Sequence, residues 1–96
     1  MEPVKRIEII TNSLEIPLVL EILDKIGSGY TIIKEVTGKG DRGRVIDDLE
    51  TQAFTNGYVL SICTLEQHYD LVAKIKPVLK KYGGVCIVSD AEWIAH

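Results

Sequence analysis

The stretch from Gly29 to Arg44, GYTIIKEVTGKGDRGR, decides which fold the chain adopts. Its first nine residues, Gly29 to Thr37, are rich in β-branched side chains and predict a strand. Gly38, Gly40 and Gly43 then match the G-x-G-x-x-G fingerprint of dinucleotide-binding folds. That fingerprint requires a helix directly after the glycines and an acidic residue about 20 positions further on. Here the next strand arrives too soon and holds no acid, so we expect a long polar loop between two antiparallel strands.

Upstream of this stretch, the sequence predicts one strand and one helix. The strand is VKRIEII, from Val4 to Ile10. The helix begins between Ser13 and Pro17, because proline is tolerated only near a first turn, and Gly27 suits the position just after its C-terminus. One stripe of the helix is apolar and contains Leu18, Val19, Ile22, Leu23 and Ile26.

Downstream of the loop, the sequence predicts a strand, a helix and a last strand. The strand is NGYVLSICT, from Asn56 to Thr64. The helix starts with the capping box TLEQ, Thr64–Gln67, and ends at the pair Gly83–Gly84. Pro77 lies inside this helix and predicts a kink or a restart. The last strand and its trailing segment run from Val85 to Ile94.

The order strand, helix, strand, strand, helix, strand predicts an α+β fold, the ferredoxin-like βαββαβ sandwich. We expect a single domain over residues 1–96, with a four-stranded antiparallel sheet, two helices on one face, and the first strand between the third and fourth. The strands are apolar at both even and odd positions, at Ile32, Val36, Leu60 and Ile62 and at Ile33, Val59 and Cys63. Two helices cover only one face, so we expect another subunit on the other, with a partner protein as the second explanation.

Composition narrows the classes of function. A formal net charge of −3 gives no general attraction to nucleic acid, so no nucleic-acid partner is expected. No run approaches the roughly 18 apolar residues of a membrane span, which favours a cytoplasmic protein. Cys63 and Cys86 lie inside apolar runs without metal-ligand spacing and are interpreted as buried hydrophobic residues.

The glycine segment itself is a candidate anion site. Gly38 and Gly40 allow close approach of the backbone to a ligand, and successive N–H groups in such a loop can form an anion-binding nest. Lys39, Arg42 and Arg44 add positive charge, so phosphate is the obvious ligand. The structural alternative is a turn-rich, solvated basic loop.

No enzyme motif is present, and no catalytic or metal-ligating residue is predicted. His68 and His96 are isolated in the sequence and are interpreted as surface or satisfied residues. Asp47, Asp48 and Glu50 form an acidic cluster that a cation could occupy, although a solvated acidic stretch is the favoured interpretation.

The motifs GSGYT, Gly27 to Thr31, and TGKGDRG, Thr37 to Gly43, resemble those of the PII signal-transduction proteins and their PII-like relatives. The resemblance covers nearly the whole chain and is greatest for the cyanobacterial branch associated with inorganic-carbon uptake. It implies a non-enzymatic homotrimer that binds a small effector in clefts between neighbouring subunits, without an obligatory cofactor. The implied effectors are the adenine nucleotides ATP, ADP, AMP or cyclic AMP. A long T-loop, at about 38–55 here, would regulate a membrane transporter or a metabolic enzyme.

The resemblance also assigns site residues. Gly29 matches the glycine beside the nucleotide, and Thr31 matches the threonine that contacts the base. Gly38 and Gly40 match glycines at the base of the T-loop, and the pair Gly83–Gly84 lies where the family's B-loop begins. Charge adds the loop's basic residues as ligand contacts, namely Lys39, Arg42 and Arg44. The expected partner contacts also lie in the loop, at Arg44, Asp47, Asp48 and Glu50.

Three departures from the family pattern keep alternatives open. The segment YGGVCIV lacks the longer B-loop with its phosphate-binding lysine, the C-terminal arginines are missing, and Asp41 stands where the family places an arginine. A mononucleotide, a different effector or no nucleotide therefore remain possible. The second hypothesis for function is an ACT-like or CutA-like module that responds to a small molecule or a metal. A third, an acylphosphatase-type enzyme, lacks the catalytic loop.

Overall fold

The computed structural model describes residues 1–38 and 55–96 and confirms the predicted ferredoxin-like fold. In this part of the chain the elements are β1 (Glu2–Asn12), a 3-10 turn (Ser13–Glu15), α1 (Ile16–Ile26), β2 (Tyr30–Val36), β3 (Asn56–Cys63), α2 (Leu65–Tyr82) and β4 (Val85–Trp93). The strand order is β2-β3-β1-β4 and every pairing is antiparallel, so β1 lies between β3 and β4 as predicted.

Helix α1 begins and ends where its sequence signals indicate. Pro17 occupies the first turn, where its missing N–H leaves no helical hydrogen bond unmade. At the C-terminus, Gly27 has φ 83 and its N–H donates to the carbonyls of Leu23 and Asp24 at 3.0 and 3.1 Å. The N–H of Ser28 also donates to the Leu23 carbonyl, at 3.0 Å, which completes a Schellman motif.

Helix α2 starts with the predicted capping box. The Thr64 hydroxyl accepts from the Gln67 N–H at 3.1 Å, and the Gln67 side chain accepts from the Thr64 N–H at 3.0 Å. The predicted restart at Pro77 is wrong, because α2 continues from Leu65 to Tyr82. Ile75 and Val78 are buried on either side of the proline, and this packing holds the helix together where one backbone hydrogen bond is missing.

The core lies between the sheet and the two helices. β1 and β3 contribute alternate residues to it, and α1 and α2 contribute their apolar faces. The buried cluster consists of Ile7, Ile9, Val19, Leu23, Val59, Cys63, Leu71 and Ile75.

The other sheet face, which we call the open face, is also largely apolar. Opposite residues of an antiparallel pair share a face, so Ile33 of β2, Leu60 of β3 and Ile87 of β4 project to the open face with the even positions of β1. Ile33 and Ile87 keep 53% and 52% of their surface exposed. The expectation of apolar side chains on both faces is therefore confirmed.

The grouping of those side chains by even and odd number does not hold across strands. Ile32 pairs with Val59, so it belongs to the helix face, while Ile33 pairs with Tyr58 on the open face. Further along β2 a bulge inserts one extra residue between Ile33 and Val36. The face of the sheet on which a side chain lies depends on the register between strands, and even or odd residue numbers do not contain that information.

The two cysteines are free, as expected. Cys63 is buried at the end of β3, and Cys86 is half-buried on β4, with β1 between the two strands. Burial raises the pKa of both thiols, which is typical of structural rather than reactive cysteines.

Candidate functional site

The segment from Ser28 to Thr31 connects α1 to the edge strand β2. The Gly29 carbonyl accepts a hydrogen bond of 2.7 Å from the buried hydroxyl of Ser61 on β3. The Ser28 and Ser61 hydroxyl oxygens are themselves 2.7 Å apart. Thr31 is exposed on the open face, opposite Leu60. Two of the predicted ligand contacts thus lie at one edge of the sheet, with the carbonyl of Gly29 anchored from the core side.

The pair Gly83–Gly84 connects α2 to the opposite edge strand, β4. Gly83 has φ 86, donates its N–H to the Leu79 carbonyl at 2.8 Å, and accepts at its own carbonyl from the Thr11 hydroxyl at 2.8 Å. Gly84 has φ 124, and a Cβ atom there would lie 2.4 Å from the Ile10 carbonyl oxygen. Close packing against β1 therefore explains why position 84 is a glycine. The contact of Gly84 with a ligand stays a prediction.

The predicted T-loop is described only at its two ends. Gly38 follows β2, is exposed, and has no atom within 4 Å of the place a Cβ would take. At the other end, the Thr55 carbonyl accepts from the Ser13 N–H at 2.8 Å, and the two hydroxyl oxygens of these residues are also 2.8 Å apart. The remaining predicted contacts lie outside the described residues: Lys39, Gly40, Arg42, Arg44, Asp47, Asp48 and Glu50.

One chain does not bring its described candidate residues together. Thr31 lies on edge strand β2, and Gly83 precedes edge strand β4. Three strand spacings, or about 14 Å, separate them across the sheet, and the register also offsets them along the strands. Gly38 follows Thr31 by seven residues of mostly extended chain, which corresponds to about 20 Å. The candidate residues form separate groups at the borders of the sheet.

A polar cluster on the open face escaped the sequence-based prediction. Glu8 accepts from the Tyr58 hydroxyl at 2.9 Å, and its second oxygen lies 3.4 Å from Nε of Arg6, which also donates to Ser89 at 3.1 Å. The hydrogen bond to Glu8, followed by burial, raises the pKa of Tyr58. The alternation of Arg6 and Glu8 with buried isoleucines in β1 is the sequence signal that would have located them on this face.

The histidines have local contacts within the chain. His68 lies with Nδ1 2.6 Å from the Leu65 carbonyl oxygen and its ring 4.1 Å from that of Tyr69. The ring of His96 lies 4.9 Å from that of Trp93. Within residues 1–38 and 55–96, no group of three or more His, Cys, Asp or Glu side chains is placed to hold a metal ion. In the same ranges, no helix has the length and apolar character needed to cross a bilayer.

Sequence comparison identifies the family. The model of the family "Nitrogen regulatory protein P-II" matches residues 4–96. The chain therefore belongs to the P-II family, as the motifs predicted, and is a PII-like signalling protein. No curated protein sequence matches the chain significantly.

Solved structures show the same fold. CPII from Thiomonas intermedia, bound to ADP and bicarbonate, is 26% identical over 95% of this chain and 88% of its own, with a TM-score of 0.81. A second CPII structure, with ADP, AMP and bicarbonate, has 23% identity, the same coverage of both chains and a TM-score of 0.81. GlnK of B. subtilis has 17% identity over 94% of this chain and 86% of its own, with a TM-score of 0.67.

Proposed function

We propose that this protein is a non-enzymatic homotrimeric regulator that binds an adenine nucleotide in clefts between neighbouring subunits. Its T-loop, at about 38–55, transmits the bound state to a partner such as a membrane transporter or a metabolic enzyme. The protein acts in the cytoplasm and has no nucleic-acid partner. The observation that carries this proposal is the position of the candidate ligand residues on opposite edges of one sheet.

The open face supports assembly from copies of the chain. Ile33, Val85 and Ile87 are each about half exposed in the isolated chain, which is costly for a sheet face that stays in water. The same face carries Arg6 and Glu8, so a copy of it offers both signs of charge. Packing the open faces around a common axis would bury the apolar side chains and allow these charges to pair.

The edge positions support a site shared by two subunits. Gly29 and Thr31 lie at the β2 edge, and the pair Gly83–Gly84 lies at the β4 edge. Within one chain the two groups are about 14 Å apart across the sheet and are further offset along the strands. If neighbouring subunits place the β2 edge of one chain beside the β4 edge of the next, the two groups meet at one cleft. CPII, which has the same fold, was solved with ADP and AMP, and this supports an adenine nucleotide as the ligand here.

Regulation requires the nucleotide to favour one arrangement of the T-loop by a free-energy difference. Gly38 at the start of that segment is among the predicted ligand contacts, so a bound nucleotide would touch the root of the loop directly. At its far end, the Ser13–Thr55 contact ties the chain to the start of α1. The charged residues between the two ends, from Lys39 to Glu50, are the proposed partner and phosphate contacts.

Calorimetric titration with ATP, ADP, AMP and cyclic AMP tests the ligand. We expect heat with at least one of them, and Gly29→Trp should abolish it, since the indole fills the exposed space beside the predicted base contact. Lys76→Trp places the same side chain on the exposed surface of α2 and should bind as the wild type does. An absence of heat with all four nucleotides would refute nucleotide binding.

Native mass measurement tests the assembly. The wild type should be a trimer, and Ile87→Asp on the open face should be a monomer, because three carboxylates would then face one another at the axis. Ile94→Asp, at a position exposed beyond the end of β4, should remain trimeric. A dimeric wild type would instead favour the ACT-like alternative.

A further inference from the structure

The core of the described chain contains three buried polar side chains, and all are hydroxyls: Thr11, Ser28 and Ser61. None of them is left without a hydrogen-bond partner. Buried hydroxyls reduce stability unless they are bonded, so their partners indicate what they hold in place. Two of the three donate to carbonyl groups of glycines assigned to the ligand cleft.

The first series of hydrogen bonds holds the carbonyl of Gly29. The Ser61 hydroxyl is 2.7 Å from the Gly29 carbonyl oxygen and donates its single proton there. The 2.7 Å contact between the two serine oxygens must then use the proton of Ser28, with the Ile62 carbonyl as a weaker second acceptor at 3.2 Å. Ser28 therefore supports Ser61, and Ser61 supports Gly29.

The second donor acts at the other edge of the sheet. The Thr11 hydroxyl donates to the Gly83 carbonyl at 2.8 Å. Its Cβ and Oγ1 also lie 3.0 Å from the position that a Cβ on Gly84 would take. One buried side chain on β1 thus orients one glycine by a hydrogen bond and packs against the next.

We infer that Thr11 and Ser61 are positioning residues for the nucleotide, an inference that rests on the proposed function. Glycine has no side chain that fixes its own backbone, so the plane of the following peptide must be set by its partners. A peptide is planar and trans, so a hydroxyl that holds the carbonyl also directs the next N–H away from it. Ser61 thereby orients the N–H of Tyr30, and Thr11 orients that of Gly84, before a ligand arrives.

This arrangement assigns the two hydroxyls to opposite halves of a shared cleft. In the proposed trimer, Gly29 of one subunit and Gly83 of the next border the same nucleotide. Ser61 of the first subunit and Thr11 of the second then each hold one side of the cleft in place, from the core of their own subunit. Binding groups that are held in place before association lose less conformational entropy, which raises affinity.

A set of three variants separates the hydrogen bond from the packing. Thr11→Val keeps the branched shape and removes the donor, Thr11→Ser keeps the donor and removes a methyl, and Ser61→Ala removes the other donor. In calorimetric titrations of the full chain with ADP, Thr11→Val and Ser61→Ala should each bind about five- to tenfold more weakly, the effect of one lost neutral hydrogen bond. Thr11→Ser should restore most of the affinity.

Val78→Ala serves as the control for stability. Val78 is buried on α2, and its hydrocarbon side chain makes no hydrogen bond to either glycine, so this change lowers the melting temperature without removing a donor to their carbonyls. Its affinity for ADP should equal that of the wild type, and native mass should show the same assembly for all variants. If Val78→Ala lost as much affinity for ADP as a Thr11 or Ser61 variant with the same melting temperature, general destabilisation would explain the loss and the positioning role would be wrong.

Two other outcomes decide between the inference and the proposed function. If the wild type binds ADP, and both Thr11→Val and Ser61→Ala bind it equally well, the positioning role is wrong while the nucleotide site stands. If the wild type gives no heat with ADP or the other adenine nucleotides, the proposed function fails, and the positioning role fails with it.

Discussion

Replacing Gly84 by alanine should destabilise the fold strongly, whether or not a ligand binds there. The residue has φ 124, a conformation that L side chains rarely adopt. The added Cβ would lie 2.4 Å from the carbonyl oxygen of Ile10. That oxygen belongs to the backbone of the central strand β1, so it cannot rotate away as the end of a flexible side chain can.

The expected size of the loss follows from three contributions. Relieving the clash requires a shift of about 1 Å between the strands, and such overpacking costs about 1–3 kcal/mol. A non-glycine residue held in this backbone conformation adds about 1–3 kcal/mol. The reduced entropy of the unfolded chain returns about 0.4–1 kcal/mol. The expected loss is therefore about 3 kcal/mol, out of the roughly 5–15 kcal/mol typical of a whole domain.

Urea unfolding at one fixed protein concentration measures the change, since an oligomer's stability depends on concentration. Gly29→Ala is the matched control: no atom lies within 4 Å of its Cβ position, and its stability should change by no more than about 0.5 kcal/mol. If Gly84→Ala and the wild type unfold at the same urea midpoint with the same slope, the close approach of Gly84 to β1 does not exist in solution.

Three further predictions concern titration, thiol reactivity and backbone strain. The hydrogen bond to Glu8 raises the pKa of Tyr58 above its ordinary value of 10.0. The stability linked to this shift is therefore complete below pH 10 and is lost as the pH rises through the folded-state pKa. Tyr58→Phe should remove this alkaline loss from unfolding curves. Burial raises the pKa of the Cys63 thiol, so an aromatic disulfide reagent at pH 8 should modify it only as fast as the protein opens, not at the rate of a free thiol. Glu35 has φ 58, and Glu35→Gly should raise the free energy of unfolding by up to about 1 kcal/mol, whereas Lys34→Gly should lower it by a similar amount.

Much of the fold could be predicted because its signals are local. The capping box at Thr64, the proline in the first turn of α1 and the glycine at its end each act within about four residues of the chain. Strand composition also predicts the order of the elements, which is that of the ferredoxin-like fold. The bulge before Val36 could not be predicted, because it depends on the register of β2 against β3 and not on composition.

For the candidate site, the sequence predicted Thr31, several glycines and the charged residues of the loop, but not the hydroxyls that hold the glycine carbonyls. The hydroxyls that anchor them are distant in sequence, since Ser61 lies 32 residues from Gly29 and Thr11 lies 72 residues from Gly83. A sequence motif shows which residues are adjacent in the chain, but it does not show which strand packs against them in the fold. For the same reason, the role of Gly84 followed from the backbone of β1 rather than from its neighbours in sequence.

The polar cluster on the open face makes burial of that face feasible. A buried carboxylate with free oxygens would oppose assembly by several kcal/mol. Both oxygens of Glu8 already have partners within the chain, one in the Tyr58 hydroxyl and the other in the Arg6 guanidinium. The guanidinium has five N–H donors, and the contacts to Glu8 and Ser89 involve its Nε. In the proposed trimer, the terminal nitrogens of Arg6 would be available to a neighbouring copy, and this charged pair would help to specify how the apolar faces meet.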